Sequence, residues 1–222
     1  MIEVVEETTA ALAAYGRVPI AFTVRAVLDI EPVDGGLGGL RLVERAVGRP
    51  YVKDYDADPA HAPAAWLAAL DVTRWGFLAA YAGAPNGTPN TAGGERVGGA
   101  AVAWQTPGLE LTRGRPDLAV LWDIRVTPAW RGRGVGAALF AAAGRWAAGR
   151  GARALLVETQ HVNVAACRFY ARQGCVLGAV HRFAYPDVPG EAQLLWYRDL
   201  PDRDLGGTAG AGPGSGRVRL PG

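Results

Sequence analysis

The sequence predicts an α/β protein in which a mixed β-sheet is flanked by helices. The first observation is a strand-like run at 118 to 126, followed by residues 135 to 150, where apolar side chains recur at helical spacing. A second strand-like run, residues 154 to 159, comes directly after this helix. Strand, helix and strand in this order predict a right-handed βαβ crossover with parallel strands.

The second observation is a pair of strand-like runs, 75 to 81 and 97 to 104, on either side of a segment rich in Gly, Pro and Asn. That segment, residues 82 to 95, is predicted to be a long hairpin loop, so the sheet should also contain antiparallel strands. The third observation is that 50% of the residues are hydrophobic, which is enough for one full core.

The other elements are placed from shorter patterns. Residues 19 to 30 are rich in β-branched and aromatic residues and predict a first strand, whereas residues 36 to 70 mix short helical patterns with prolines. After the crossover we expect a short helix from about Asn163 to Arg172, which Gly174 closes. Strands are expected near 176 to 185 and 192 to 198. One domain is expected over residues 1 to 200, and a Gly/Pro-rich disordered tail over residues 201 to 222.

Alternation along the central strand predicts which side chains share a face of the sheet. Its two predicted sets are Trp122, Ile124 and Val126 on one face, and Leu121, Asp123 and Arg125 on the other.

Composition excludes several classes of partner. The formal net charge of +2 gives no overall attraction to nucleic acid or to an anionic membrane. The acidic start MIEVVEETTA does not resemble a secretory signal, and the apolar stretch 135 to 148 is too short to span a bilayer. Cys167 and Cys175 lack metal-type spacing. We therefore expect a cytoplasmic globular protein; a homodimer remains open.

The segment TPAWRGRGVGAALF, residues 127 to 140, places glycines and arginines where the predicted helix begins. The first turn of a helix carries unpaired backbone N–H groups and the positive end of the helix dipole, so it suits a phosphate. Gly132, Gly134 and Gly136 let the backbone approach closely, while Arg131 and Arg133 add positive charge. The alternative is a surface loop whose arginines are only solvated.

A dinucleotide fingerprint is a weaker match to the same loop. Gly132-x-Gly134-x-x-Ala137 fits it loosely, with Glu158 where a ribose-binding acid would stand. More than half of the chain precedes this loop, however, whereas a dinucleotide loop normally opens the first βαβ unit. A Walker loop is excluded because no Gly-Lys-Ser/Thr occurs.

A better match is to the GNAT superfamily of acyl-CoA-dependent N-acyltransferases. Arg131-x-x-Gly134-x-Gly136 fits the signature R/Q-x-x-G-x-G/A, and the preceding WDIRVTPAW resembles the family's central strand. The later run VETQHVNVAACRFYARQG resembles a second GNAT motif. The resemblance covers roughly residues 97 to 200 and implies a single-domain GNAT fold whose acetyl-CoA core is this half, with residues 1 to 96 mainly on the substrate side.

Within the superfamily, ETQHVNVAACRFYARQGCVLGAV, LLWYRDL and YVKDYD are most similar to the streptothricin acetyltransferase group. Cys175 departs from the pattern, because a Phe usually follows the glycine there. The resemblance implies acetyl-CoA as cosubstrate, no metal, and a primary amine of a small cationic acceptor, for which a streptothricin-type antibiotic is a candidate.

The resemblance also implies roles for individual residues. Tyr170 would protonate the departing CoA thiolate, or else be a buried aromatic; Asn163 would contact the pantetheine, cap the helix, or do both. The predicted acetyl-CoA site comprises Ile124, Arg125, Val126, Arg131, Gly132, Arg133, Gly134, Val135, Gly136, Asn163 and Tyr170.

The amine must lose a proton before it attacks, so a base is needed. Asp123 is the first candidate and Glu158 the second, although Asp123 could instead pair with Arg125 on the same strand face. Cys167, with His161 nearby, would suit a different enzyme class as a nucleophile, but its place in an apolar helical pattern favours a core thiol.

The histidines His61, His161 and His181 show no ligand spacing. Asp54, Asp56 and Asp58, amid Tyr51 and Tyr55, would either attract a polycationic amine or form a solvated loop. The predicted function is therefore N-acetyl transfer; the alternatives are a silent acyl-CoA-binding regulatory module and, more remotely, a nicotinamide-dependent enzyme.

Overall fold

The computed structural model describes residues 1–83 and 94–201 of the chain. A seven-stranded sheet runs through it in the order β1-β4-β5-β6-β7-β9-β8, and a separate two-stranded ribbon joins β2 to β3. The strands are β1 (Ile2–Glu7), β2 (Phe22–Pro32), β3 (Leu40–Lys53), β4 (Gly76–Ala82), β5 (Glu95–Ala103), β6 (Leu118–Val126), β7 (Ala154–Gln160), β8 (Val176–His181) and β9 (Gln193–Asp199).

Four α-helices cover the two faces of the sheet. They are α1 (Leu12–Tyr15), α2 (Trp66–Ala69), α3 (Val135–Gly149) and α4 (Val164–Arg172). Side chains of α3 and α4 pack into a core on one face, and side chains of α1 and α2 pack into a second core on the other. The predicted single-domain α/β fold with a mixed sheet is confirmed.

The predicted crossover is present. β6 and β7 pair in parallel, and α3 connects them. β4 and β5 pair antiparallel, as predicted for a hairpin, although residues 84–93 of its loop lie outside the described residues. The predicted tail also lies outside them from residue 202 onward. No helix of the described residues is long and apolar enough to cross a membrane.

Two strands, β1 and β3, were not predicted from the sequence. β1 pairs antiparallel with β4 at the sheet edge, and β3 pairs along its length with β2. Residues 36 to 70 were expected to hold short helical patterns, yet most of their first half forms β3. The ribbon exposes most of its side chains, so β3 lacks the regular apolar alternation from which a strand is predicted.

The predicted faces of β6 are wrong at Leu121 and Trp122. Opposite β5, Ala101 pairs with Asp123 and Val102 with Leu121, so Trp122 is an extra residue in a β-bulge. A bulge reverses the alternation of side chains from that point. Leu121 therefore packs in the same core as Ile124 and Val126, and Trp122 packs in the opposite one.

Candidate active site

The sheet opens where β6 and β7 diverge. Their parallel pairing ends at Leu121 and Val157, after which β6 stays paired only with β5, and β7 only with β9. The facing edge of β6 beyond the bulge is thus left without a strand partner. A cavity of about 1160 Å³ occupies this opening and extends from the start of α3 to the turn at residues 54–58.

The glycine loop forms one end of the cavity. Gly132 and Gly134 have φ values of +76° and +85°, which side chains with a Cβ rarely adopt, and Gly134 is the N-cap of α3. The backbone N–H groups of residues 134 to 137 have no acceptor among the residues that the structure describes. Free donors at the start of a 15-residue helix match the site predicted for a phosphate.

The two arginines of this loop differ. The guanidinium of Arg131 donates to the backbone oxygens of Val126 (2.9 Å), Pro19 (3.1 Å) and Ala21 (3.0 Å), and its partial burial lowers its pKa. Arg131 therefore fastens the segment before β2 to the end of β6. Arg133 is exposed, and its guanidinium lies 5.4 Å from the centre of the Trp130 ring. Of the two, Arg133 is the one free to meet a phosphate.

Arg125 is the centre of a buried polar network. Its guanidinium, 1% exposed, contacts Asp123 Oδ2 at 2.6 Å, Asp56 Oδ2 at 2.7 Å and the Val18 carbonyl oxygen at 3.1 Å. It also lies 5.1 Å from the centre of the Tyr15 ring. The Arg125 side chain, predicted to bind the cosubstrate, is therefore held by partners within the protein, and Arg125 lines the cavity.

The two candidate bases stand in different surroundings. Asp123 accepts hydrogen bonds from the Tyr15 hydroxyl (2.5 Å) and from Arg125, which is the ion pair that the sequence left open as the alternative. Glu158, on β7, accepts from the Tyr185 hydroxyl at 2.5 Å and has no lysine or arginine partner among the described residues. Both residues line the cavity. Glu158 is therefore the carboxylate less committed to a cation.

Tyr170 and Asn163 both line the cavity from the α4 side. Burial and then the nearby Asp123 raise the pKa of Tyr170 well above its ordinary value, so its phenol stays protonated. Its hydroxyl has no hydrogen-bond partner among the described residues. Asn163 is the N-cap of α4, and its Oδ1 accepts from the Ala166 N–H at 3.1 Å. The capping role considered for Asn163 is thus present, whatever else it contacts.

Sequence reasoning assigned no role to Gln160 or Tyr185, and it considered Tyr55 only as a neighbour of the acidic cluster. Tyr55 donates to Gln160 Oε1, and Gln160 Nε2 donates to the Tyr185 hydroxyl at 3.4 Å. Gln160 stands two residues after Glu158, so alternation along β7 could have identified it. Tyr185 was expected at the end of a strand near 176 to 185, but β8 ends at His181, and Tyr185 lies in the irregular connection between β8 and β9.

The three aspartates of the acidic cluster, Asp54, Asp56 and Asp58, make different contacts. Asp56 is bound to Arg125, whereas Asp54 and Asp58 accept backbone N–H groups within their own turns. Asp54 and Asp58 line the cavity, as do Glu191 and its salt-bridge partner Lys53 (2.6 Å). The end of the cavity opposite the glycine loop is therefore rich in carboxylates.

Both cysteines are free and buried. Burial raises the pKa of Cys167 to about 12 and that of Cys175 to about 11, so neither is a thiolate near neutral pH. Cys167 lies in the core among α4 side chains, as expected of a packed thiol. Among the described residues, no group of three or more His, Cys, Asp or Glu is arranged to hold a metal ion.

Residues 49–175, more than half of the chain, match the model of the Acetyltransferase (GNAT) family. The chain belongs to this family. Over 81 residues it is 38% identical to Streptothricin acetyltransferase A of Bacillus subtilis (strain 168), which covers 36% of this chain and 47% of that protein. The chain spans about half the length of the curated relatives that it matches.

Two solved structures share the fold over most of the chain. Nourseothricin acetyltransferase has a TM-score of 0.67 at 24% identity and covers 90% of this chain and 99% of its own. A Bacillus anthracis str. Ames protein solved in complex with acetyl coenzyme A has a TM-score of 0.65 at 21% identity, with coverage of 90% and 100%.

Proposed function

We propose that this GNAT-family protein transfers an acetyl group from acetyl-CoA to a primary amine of a small cationic acceptor, with streptothricin-type antibiotics as the first candidates. One observation carries the proposal: a single cavity between β6 and β7 joins a helix N-terminus with free N–H groups to a region rich in carboxylates. Family membership supports acetyl-CoA as the donor.

The glycine loop is suited to the pyrophosphate of acetyl-CoA. Residues 134 to 137 offer backbone N–H groups, and the open space beside Gly134 leaves room for the phosphate oxygens, whereas a Cβ on Gly136 would meet Phe169. The pantetheine arm would lie along the unpaired edge of β6 at Ile124 to Val126, where backbone groups no longer reach β7. A strand edge of this kind also offers an N–H to the thioester oxygen as negative charge develops there.

Glu158 is the residue best suited to take the proton of the acceptor amine. It lines the cavity beyond the end of the β6–β7 pairing, and no lysine or arginine of the described residues neutralises it. Asp123, first choice from the sequence, is held by Arg125 and Tyr15 and is better suited to fixing β6. The deprotonated amine then attacks the thioester carbon directly, with no acyl-enzyme.

Tyr170 is suited to protonate the leaving thiolate. Its phenol is buried, remains protonated and is not engaged by the described residues, so its proton is available when the C–S bond breaks.

The acceptor class is supported by charge. Asp54 and Glu158 line the far end of the cavity without a lysine or arginine partner among the described residues, and an acidic cleft attracts cations. The curated relatives named as streptothricin acetyltransferases favour streptothricin-type amines within this class.

A thiol-release assay with a panel of amines tests the proposal. The panel contains a streptothricin, polyamines, lysine and neutral primary amines, each with acetyl-CoA. We expect CoA release with cationic amines and highest activity with streptothricin. Acetyl-CoA binding without release by any amine would instead favour the silent acyl-CoA-binding module.

The substitution Tyr170→Phe tests the acid. We expect kcat to fall by about 10- to 100-fold, which is roughly 1–3 kcal/mol in the barrier, while acetyl-CoA binding is retained. Because no described residue bonds the hydroxyl, the melting temperature should change little. Tyr197→Phe, on β9 and outside the cavity lining, is the matched control and should keep full turnover. Unchanged turnover in Tyr170→Phe would assign the proton to water.

A further inference from the structure

Tyr185, in the connection between β8 and β9, forms a hydrogen bond with the Glu158 carboxylate. The Tyr185 hydroxyl donates to Glu158 Oε1 at 2.5 Å and accepts from Gln160 Nε2 at 3.4 Å. Gln160 in turn accepts from Tyr55. The only direct donor to Glu158 among the described side chains is therefore a phenol whose own position is fixed by a second hydrogen bond.

The loop that carries Tyr185 is itself attached at its end. The Glu191 carboxylate binds Lys53 at 2.6 Å, the Glu191 N–H donates to the Val188 oxygen at 2.8 Å, and the Ala192 N–H donates to His161 Nδ1 at 3.0 Å. These bonds tie the loop to β3 and to the end of β7. Tyr185 is thus held by two hydrogen bonds of its hydroxyl and by the bonds that attach its loop.

A glutamate has three side-chain torsions, so it needs partners to stay in one orientation. Two cations of the cavity lining are bound to other carboxylates: Arg125 to Asp123 and Asp56, and Lys53 to Glu191. Burial and then Glu158 raise the pKa of Tyr185 well above its ordinary value, so it remains a donor. No other described side chain restrains Glu158 by a hydrogen bond.

We infer that Tyr185 is a positioning residue for acetyl transfer, whose hydroxyl holds the Glu158 carboxylate where it takes a proton from the acceptor amine. The inference rests on the proposed function. In the step, one N–H proton moves from the ammonium group to Glu158, and the nitrogen lone pair attacks the thioester carbon. The C–S bond breaks, the thiolate takes the Tyr170 proton, and the second proton that the nitrogen loses returns Tyr170 to its phenol. The Tyr185 O–H bond stays intact throughout.

A double-mutant cycle separates this role from a merely structural one. We would measure kcat and both KM values for the wild type, Tyr185→Phe, Glu158→Gln and the double variant, using the best amine of the panel. Tyr185→Phe should lower kcat about tenfold, the effect of one hydrogen bond to a charged group. Glu158→Gln should lower it about 100-fold or more. The double variant should match Glu158→Gln alone, and the KM for acetyl-CoA should not change in any of them.

Tyr197→Phe is the control. It should not change kcat in the wild type, and it should cause no further change in the Glu158→Gln variant. An equal loss from Tyr185→Phe with and without Glu158 would show that the hydroxyl acts independently, and the inference would fall. An unchanged kcat in Glu158→Gln would also overturn it, while acetyl transfer would stand. A wild type that acetylates no amine would end the proposed function, and this inference with it.

Discussion

The two halves of β6 are built differently although they belong to one strand. The first half, residues 118 to 121, is paired with β7 along its length and with β5 at Val120 and Leu121, and its side chains are almost fully buried. Trp122 to Val126 keeps only the β5 edge and borders the cavity. The bulge at Trp122 marks the boundary between them.

The difference shows how a sheet can open without coming apart. The closed half is stabilised by hydrogen bonds on both edges and by apolar packing. The open half loses one edge, and its position is fixed instead by side chains: Arg125 binds Asp123 and Asp56, and Arg131 caps the Val126 oxygen. The free edge and the free N–H groups of α3 remain for a ligand.

The largest effect is expected at Arg125. Replacing it by Met leaves Asp123 and Asp56 without their cation in a buried site, which should cost about 3–5 kcal/mol of unfolding free energy. Urea unfolding measures the loss. The matched control is Arg41→Met, which breaks the exposed pair with Glu31 and should cost less than about 1 kcal/mol. Similar small losses in both variants would mean that the network does not hold the open half.

A smaller stability loss is expected in the closed half. Leu118 is 2% exposed and does not line the cavity, so Leu118→Ala should cost about 2–5 kcal/mol of unfolding free energy. The KM for acetyl-CoA should not change, because the cavity is untouched. Leu37→Ala, at a fully exposed leucine, is the control and should leave stability unchanged. A raised KM in Leu118→Ala would break the division between the two halves.

A substitution in the glycine loop should affect acetyl-CoA binding more than it affects folding. In Gly134→Val we expect the KM for acetyl-CoA to rise about tenfold, roughly 1.4 kcal/mol, because a side chain would stand where the pyrophosphate binds. The positive φ also strains any side chain there, so Gly151→Val, with φ +96° at the far end of α3, is the matched control. Both variants should lose stability, and only Gly134→Val should lose acetyl-CoA affinity. Equal KM values in the two would refute the phosphate assignment.

The smallest effect concerns the end of β7, where His161 follows the strand. Burial lowers the pKa of His161, and its Nδ1 accepts from the Ala192 N–H. Because the unfolded chain binds a proton more readily, the folded state should lose stability as pH falls below about 6.5. Solvent screening limits this loss to less than about 1 kcal/mol. His161→Asn keeps an acceptor without titrating, so its unfolding free energy should fall less between pH 7 and pH 5; an identical fall would exclude His161.

The elements with a regular residue pattern could be predicted from the sequence, whereas the irregular ones could not. Helical spacing placed α3, the apolar run 154 to 159 placed β7, and glycine chemistry located the loop before α3, because each pattern reflects local geometry. The exposed β3 left no apolar alternation, so it was missed. The bulge at Trp122 depends on the register with β5, which no local pattern shows.

The candidate site divides in the same way. Tyr170, Asn163 and the glycine loop lie within motifs of adjacent residues, and all of them line the cavity. The partners of Arg125 and Glu158 are far away in sequence: Asp56 on the turn after β3, and Tyr185 in the β8–β9 connection. Such contacts depend on tertiary packing. For this reason neither the bond between Arg125 and Asp56 nor the donor to Glu158 was foreseen.

Hydrogen exchange with and without acetyl-CoA tests most directly whether the open half of β6 and the start of α3 form the donor site. We expect acetyl-CoA to slow amide exchange within residues 122 to 126, whose edge facing the cavity has no strand partner among the described residues, and within residues 134 to 137, whose N–H groups have no acceptor among them. Exchange at residues 118 to 121, which pair with β7 and, at Val120 and Leu121, also with β5, should not change. Protection confined to other segments, or no protection at a saturating concentration, would contradict the account.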